Sequence, residues 1–170
     1  RAEISISDPE RWTHFTVQNG LPDNRIRHVL EDVDGSLLVV TMNNGIFRYD
    51  GLQFLPLHIN EQLPTLFIQW VIKDNQDRLL IACNYEGIWI YDHGKLYPFE
   101  QNSLFNKQHF VTLFKDQQGQ IWIDVNRVGL FCWNGQICEN ITRQYNLPFE
   151  DIVQITQQDS LTYLLLFNNR

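Results

Sequence analysis

Short apolar runs broken by turn residues set the texture of the chain. "IRHVLED" (26–32), "SLLVVT" (36–41), "GIFRYD" (45–50) and "LQFLPL" (52–57) are rich in β-branched and aromatic residues. Runs this short, of this composition, have the texture of strands rather than helices. Turn chemistry separates them, and Asp50-Gly51 and Asn134-Gly135 are hairpin dipeptides, because glycine accepts the positive φ such turns need. No window of helical period with caps competes, so the pattern predicts strands.

The pattern then repeats without an insertion. Asp32, Asp74 and Asp116 stand 42 residues apart, as do Gly45, Gly87 and Gly129. The same step links Phe47, Trp89 and Phe131, then Tyr49, Tyr91 and Trp133, then Leu38, Leu80 and Trp122. A fourth copy joins through Ile26, Ile68, Phe110 and Ile152, through Val29, Val71, Leu113 and Ile155, and through Phe15, Leu57, Phe99 and Ile141. Four strands in 42 residues match one blade of a β-propeller. The expected architecture is an all-β propeller fragment of four-stranded antiparallel blades, about three and a half of them. It comprises an outer strand at 12–17, blades at 25–57, 67–99 and 109–141, and an incomplete blade at 151–167. A fourth framework glycine would fall just past Arg170, so the expectation is part of a larger ring completed by further blades of the same propeller. Two copies closing a ring, or a receptor homodimer, is the alternative.

"DVDG" at 32–35 has the look of a cation loop, but "DNQD" and "DQQG" replace it one and two periods later. Only the first aspartate persists, and a calcium loop wants glycine at its sixth position and glutamate at its twelfth. The persisting aspartate is read as an acceptor of backbone N–H groups inside a turn, with no metal and no cofactor. A net charge of −7, with 13 basic residues scattered among 20 acidic, argues against nucleic acid. No apolar run approaches the length of a membrane span. Cys83, Cys132 and Cys138 form no C-x-x-C pair. Cys132 and Cys138 would lie on opposite faces of a two-residue hairpin, so buried free thiols are expected. "NIT" at 140–142 fits a glycosylation acceptor by pattern alone.

The first copy, "NGLPDNRIRHVLEDVDGSLLVVTMNNGIFRYDGLQF", resembles the two-component regulator propeller repeat, with Leu38 where that repeat carries tryptophan. The third copy restores the tryptophan at Trp122, and the second has Asp77 at the turn glycine. The resemblance implies the periplasmic sensor part of an inner-membrane receptor, upstream of a histidine kinase or diguanylate cyclase output. In one branch of that family the propellers read oligosaccharides. A small-molecule or oligosaccharide ligand is therefore the implied partner, with no catalytic residue in this segment. The alternatives are a protein-interaction propeller and a propeller lyase, the latter placing His109 beside Glu86 near the axis.

Loops joining successive blades (18–25, 60–67, 102–109, 144–151) and second-to-third-strand turns (42–44, 84–86, 126–128) should gather at one end. The turns read "MNN", "NYE" and "NRV" and vary while their surroundings hold the period. Asn43, Asn44, Tyr85, Glu86 and Arg127 are the candidate ligand residues, because amides and carboxylates bond sugar hydroxyls and an aromatic face covers a sugar's C–H patch. Solvated loop residues are the plainer reading of the same set. Trp70, Tyr145 and His109 are weaker candidates, whereas Trp89, Trp122 and Trp133 sit on framework positions suited to packing between blades.

Overall fold

A computed structural model describes residues 13–105, 107–108, 110–150 and 152–167. Blade 1 is β1 (Ile26–Glu31), β2 (Leu37–Thr41), β3 (Ile46–Tyr49) and β4 (Phe54–Pro56). Blade 2 is β5 (Ile68–Lys73), β6 (Leu79–Cys83), β7 (Gly87–Asp92) and β8 (Lys95–Pro98). Blade 3 is β9 (Phe110–Lys115), β10 (Ile121–Val125), β11 (Gly129–Trp133) and β12 (Cys138–Asn140). A two-stranded sheet of β13 (Ile152–Gln157) and β14 (Tyr163–Phe167) follows. Every sheet is an antiparallel meander in chain order, and the first strands β1, β5, β9 and β13 lie side by side along the inner edge of the stack.

Strand alternation explains why the blades stack. In β6, Leu79, Ile81 and Cys83 face blade 1 while Leu80 and Ala82 face blade 3. In β10, Ile121, Ile123 and Val125 face blade 2, and Trp122 faces the β13–β14 sheet. Each sheet thus has two apolar sides and hides one only when a neighbour covers it. The ends of the stack show the consequence. Val71, Leu113 and Ile155 are 1%, 2% and 6% exposed, yet the equivalent Val29 is 54% exposed because no described blade precedes it. On the far side, Leu80 and Trp122 are buried while their equivalent Leu164 is 57% exposed.

The framework glycines are explained by close approach. Ile46 N–H donates to Asn60 Oδ1 at 2.9 Å, Ile88 N–H to Asn102 Oδ1 at 2.7 Å and Leu130 N–H to Thr142 Oγ1 at 2.8 Å. Each latch crosses the face of the preceding glycine, where a Cβ on Gly45, Gly87 or Gly129 would collide with it, and all three glycines have positive φ. The repeated aspartates accept turn amides in blades 2 and 3. Asp74 takes Gln76 and Arg78 N–H, and Asp116 takes Gln118 and Gln120 N–H. In blade 1 Asp32 instead takes Val33 N–H and the Lys73 ammonium, while Asp34 takes Ser36 N–H.

The strand expected at 12–17 is not formed over its described part. Residues 13–16 carry no strand and Val17–Asn19 is one turn of 3-10 helix; Trp12 lies outside the described residues. A strand needs a ladder partner. The expected strand would be the fourth of a blade preceding blade 1, and the described residues hold no third strand for it to pair with; the Asn19 side chain donates to the His14 carbonyl instead. Phe15 still packs edge-on against Tyr49 and Phe54, with centroids 5.1 and 5.2 Å away. Two short helices form: α1 (Asn102–Phe105) lies in the link expected as a loop at 102–109, and α2 (Ile141–Tyr145) runs from the expected end of the third blade into the loop expected at 144–151. The glycosylation pattern is absorbed by α2, since Asn140 Oδ1 caps Arg143 N–H and Thr142 is buried in its latch. All three cysteines are free, and Cys132 and Cys138 pack into different interfaces, as opposite faces require.

Candidate functional site

The turns after β6 and β10 are built alike. Glu86 N–H donates to the Cys83 carbonyl at 3.1 Å and Val128 N–H to the Val125 carbonyl at 3.0 Å. That leaves Tyr85 and Arg127, one period apart, with φ of 62° and 61°. A position of this kind usually belongs to glycine, and a larger residue held there costs roughly 1–3 kcal/mol. The link after α1 reaches the first of these turns, as Lys107 N–H donates to the Tyr85 carbonyl at 2.9 Å, and Lys107 too has a positive φ, of 66°.

These three residues meet. Tyr85, Lys107, Gln108, Asn126 and Arg127 line an open cavity of about 320 Å³ across blades 2 and 3. Tyr85 is half exposed. Neither Lys107 nor Arg127 forms an ion pair with a described carboxylate, so this mouth is locally cationic in a chain of net charge −7. The assembled chemistry is a phenol ring, two amides and two cations. It suits a polar ligand with hydroxyl groups and a negative group, held by hydrogen bonds and ring contact.

Of the residues expected from sequence, the cavity gathers Tyr85 and Arg127 and not the other three. Asn44 N–H donates to Thr41 Oγ1, and its side-chain amide donates to the Pro22 carbonyl at 3.1 Å. Asn43, with its amide turned to satisfy both groups, accepts from Arg25 at 2.8 Å. Both asparagines therefore tie the blade 1 turn to residues 18–25. Glu86 lies beside the cavity without lining it, and its carbonyl accepts the Trp89 indole N–H. Trp70 is half-buried against the blade 2–3 core and against His28, 4.2 Å between ring centroids. Burial pushes the His28 imidazole below its ordinary pKa. Tyr145, on α2, lines a different cleft, and His109 lies outside the described residues. Lys107, Gln108 and Asn126 were missed; the first two sit in a link whose neighbours keep no clear repeat, and Asn126 shares its residue type with Asn84 one period earlier.

Framework tryptophans pack between blades as expected. Trp122 donates to Asp116 Oδ2 at 3.0 Å, and Tyr163 donates to the same oxygen at 2.7 Å, joining blade 3 to β14. The Arg78 guanidinium lies 5.9 Å over the Trp133 ring. Trp89 is half-buried against the blade 1–2 core.

The extracellular domain assigned to the hybrid two-component system BT3049 of B. thetaiotaomicron superposes on 91% of this chain. Its TM-score is 0.71 at 17% identity. The fold is that of propeller blades. A second such domain, BT4673 of the same organism, matches over 85% with a TM-score of 0.63 at 15% identity. Virginiamycin B lyase of Staphylococcus aureus matches over 85% with a TM-score of 0.60 at 14% identity. The chain spans 22% and 19% of the two extracellular domains and 50% of the lyase. Neither a protein-family model nor a curated protein matches it. Identities this low establish architecture, and a propeller hosts sensors and lyases alike.

Proposed function

We propose that this chain is a ligand-sensing stretch of a periplasmic receptor propeller of the hybrid two-component type, without catalysis of its own. One observation carries the reading: of the described residues that line the cavity, Tyr85, Lys107 and Arg127 hold side chains where backbone conformation favours glycine. Strain of this sort clusters where a side chain's position matters more than the stability it costs. Likeness of fold to extracellular receptor domains supports the setting. Residues from two blades line the cavity, so a ligand there bridges adjoining sheets and favours the arrangement in which both are in place. The ligand class is an oligosaccharide, and two cations with no carboxylate partner among the described residues favour one carrying carboxylate or sulfate groups.

Calorimetric titration with neutral and acidic oligosaccharides tests this, with product analysis of the same mixtures. The expected result is saturable binding of an acidic oligosaccharide, recovered intact, at least tenfold weaker in Arg127→Gly and in Tyr85→Gly. Glycine keeps the turn conformation at both positions, so lost binding reports lost side chains. Binding unchanged in both variants, or conversion of the sugar, overturns the proposal.

A further inference from the structure

The blade 2–3 interface opens a second time at its other end. A cavity of about 270 Å³ lies between the turn from β5 to β6 and the hairpin from β11 to β12, at Asn134-Gly135. The Tyr85 cavity lies at the turns after β6 and β10, so the meander puts the two at opposite ends of the same sheets. The residue that ends each first strand shows why space remains here. Lys73, Lys115 and Gln157 stand one period apart. Lys73 ties blade 2 to blade 1, donating to the Glu31 carbonyl and to Asp32 Oδ1, both at 2.9 Å. Gln157 ties the last sheet to blade 3, accepting Gln117 N–H and donating to Gln118 Oε1, both at 2.7 Å. Lys115 reaches only the Asp74 carbonyl, at 3.4 Å. The carboxylate it would meet is taken, because Arg78 donates to Asp74 Oδ2 at 2.7 Å from a place held by Ser36 and Gln120 in the other blades.

The groups left free around this space form hydrogen bonds and carry no net charge. Asp74 and Arg78 are the charged residues among the described lining, and they neutralise each other. Asp74 Oδ1 is also filled, by the N–H groups of Gln76 and Arg78. The side-chain amides of Asn75 and Gln76 bond to no described residue. That of Asn75 lies against Gly119 of blade 3, where a Cβ would collide with it. Asn134 spends its Oδ1 on the N–H groups of Gln136 and Ile137, which leaves its NH2 free. Trp133 is only 6% exposed and its indole N–H donates to no described residue, yet that nitrogen is not buried. The little surface this ring keeps therefore includes its polar atom. Trp89 and Trp122, by contrast, bond theirs to Glu86 and Asp116. A donor left open at the edge of a core is satisfied by whatever enters beside it.

We propose that this cavity binds one neutral sugar ring. Hydroxyl groups both donate and accept, which matches two carboxamides offering both functions and an indole N–H and an NH2 that only donate. The closed Arg78–Asp74 pair gives a carboxylated sugar no free cation to meet, so the neutral ring is preferred. The volume falls below the roughly 300–1,000 Å³ typical of pockets for drug-sized ligands, which suits one ring and not a chain of them. The site shares no lining residue with the Tyr85 cavity, and the proposal does not rest on the sensing reading.

The test titrates the isotope-labelled 170-residue chain with D-glucose, D-galactose, D-mannose and D-glucuronate, following the indole N–H signals by NMR. Trp133→Phe, which keeps a ring and drops the donor, assigns the signal. At least one of the three neutral hexoses is expected to shift the Trp133 signal saturably and leave those of Trp89 and Trp122 in place. Glucuronate should bind at least fivefold more weakly than that hexose. Asn75→Ala, at an exposed side chain with no described bond to lose, should weaken the hexose at least fivefold and leave the unfolding midpoint unchanged. No saturable shift with any of the three hexoses, or either factor smaller than fivefold, overturns the proposal. A shift at Trp89 in place of Trp133 overturns it too, because the Trp89 indole is bonded to the Glu86 carbonyl at the opposite end and would assign the sugar there.

Discussion

Substituting Gly45 and Asn60 singly and together gives the sharpest test of how a blade is locked. Asn60 clamps the Ile46 peptide from both sides, accepting its N–H at 2.9 Å and donating to its carbonyl at 2.8 Å. Ile46 is fully buried, so Asn60→Ala strands its N–H without an acceptor, at a cost of about 1–3 kcal/mol. The carbonyl keeps Leu57 N–H at 3.0 Å, so the lost donor adds little. Gly45→Ala places a Cβ on the Asn60 amide and expels the latch, and it also forces alanine to a φ of +82°. The strain is worth about 1–2 kcal/mol, so Gly45→Ala should cost about 2–5 kcal/mol in all. The double variant has no latch left to expel. It should therefore cost about as much as Gly45→Ala alone, not the sum of the singles, giving a coupling of about 1–3 kcal/mol. Urea unfolding at constant slope measures all three. Costs that add to within about 0.5 kcal/mol would refute the account of the framework glycine as a seat for the latch.

Two further outcomes follow from buried polar groups. Asp116→Asn turns an acceptor into an NH2 facing the Trp122 indole N–H, which has no other described partner, while the Tyr163 hydroxyl can rotate to accept. Stability should fall by about 1–3 kcal/mol, read as a lower thermal midpoint. Separately, burial raises the thiols of Cys83 and Cys132 from 9.0 to about 12, and of Cys138 to about 11. It also raises Tyr163 from 10.0 to about 12, helped by its bond to Asp116. Each is an acid kept neutral by the fold, so its stabilisation is complete below the ordinary pKa and is lost as pH climbs through the raised one. Urea midpoints should fall between pH 9 and 12, and Tyr163→Phe should flatten the part above pH 10. A midpoint flat across that range would contradict the buried placement.

The fold was legible because the blade repeats its demands. Every sheet needs two apolar sides, and the chain writes that need at a fixed step through Leu80 and Trp122 on one side and Val71, Leu113 and Ile155 on the other. Turn glycines were legible for the same reason, since positive φ restricts the residue type wherever it recurs. What escaped was conveyed by side chains whose partners are distant in sequence. Asn60 and Asn102 keep the period, yet an asparagine in a link reads as a loop residue until its bond back to the third strand of its own blade is seen. Thr142 performs the same task two places out of step, beyond the reach of an alignment. The strand expected at 12–17 failed for a complementary reason: Phe15 obeys the pattern, but pairing is a property of two strands and the pattern describes only one.

The candidate site divides along the same line. Variability in the turns at 43, 85 and 127 marked positions where packing does not dictate the side chain, and that much is readable in one sequence. Variability does not say whether the freedom is used for recognition or for local bonding. Asn43 is spent on Arg25 and has no left-handed φ, whereas Tyr85 and Arg127 share that conformation and a cavity. The distinguishing quantity is backbone conformation, which the side-chain pattern does not encode unless glycine is present. At 85 and 127 the chain forgoes glycine and accepts a cost of roughly 1–3 kcal/mol at each. No contact within the blade explains that choice for Arg127, whose side chain projects into the mouth between two sheets with no described carboxylate to meet it. A charge held there at that expense is accounted for when a negative group arrives from outside the chain, which is why Arg127→Gly separates the sensing reading from a purely structural one.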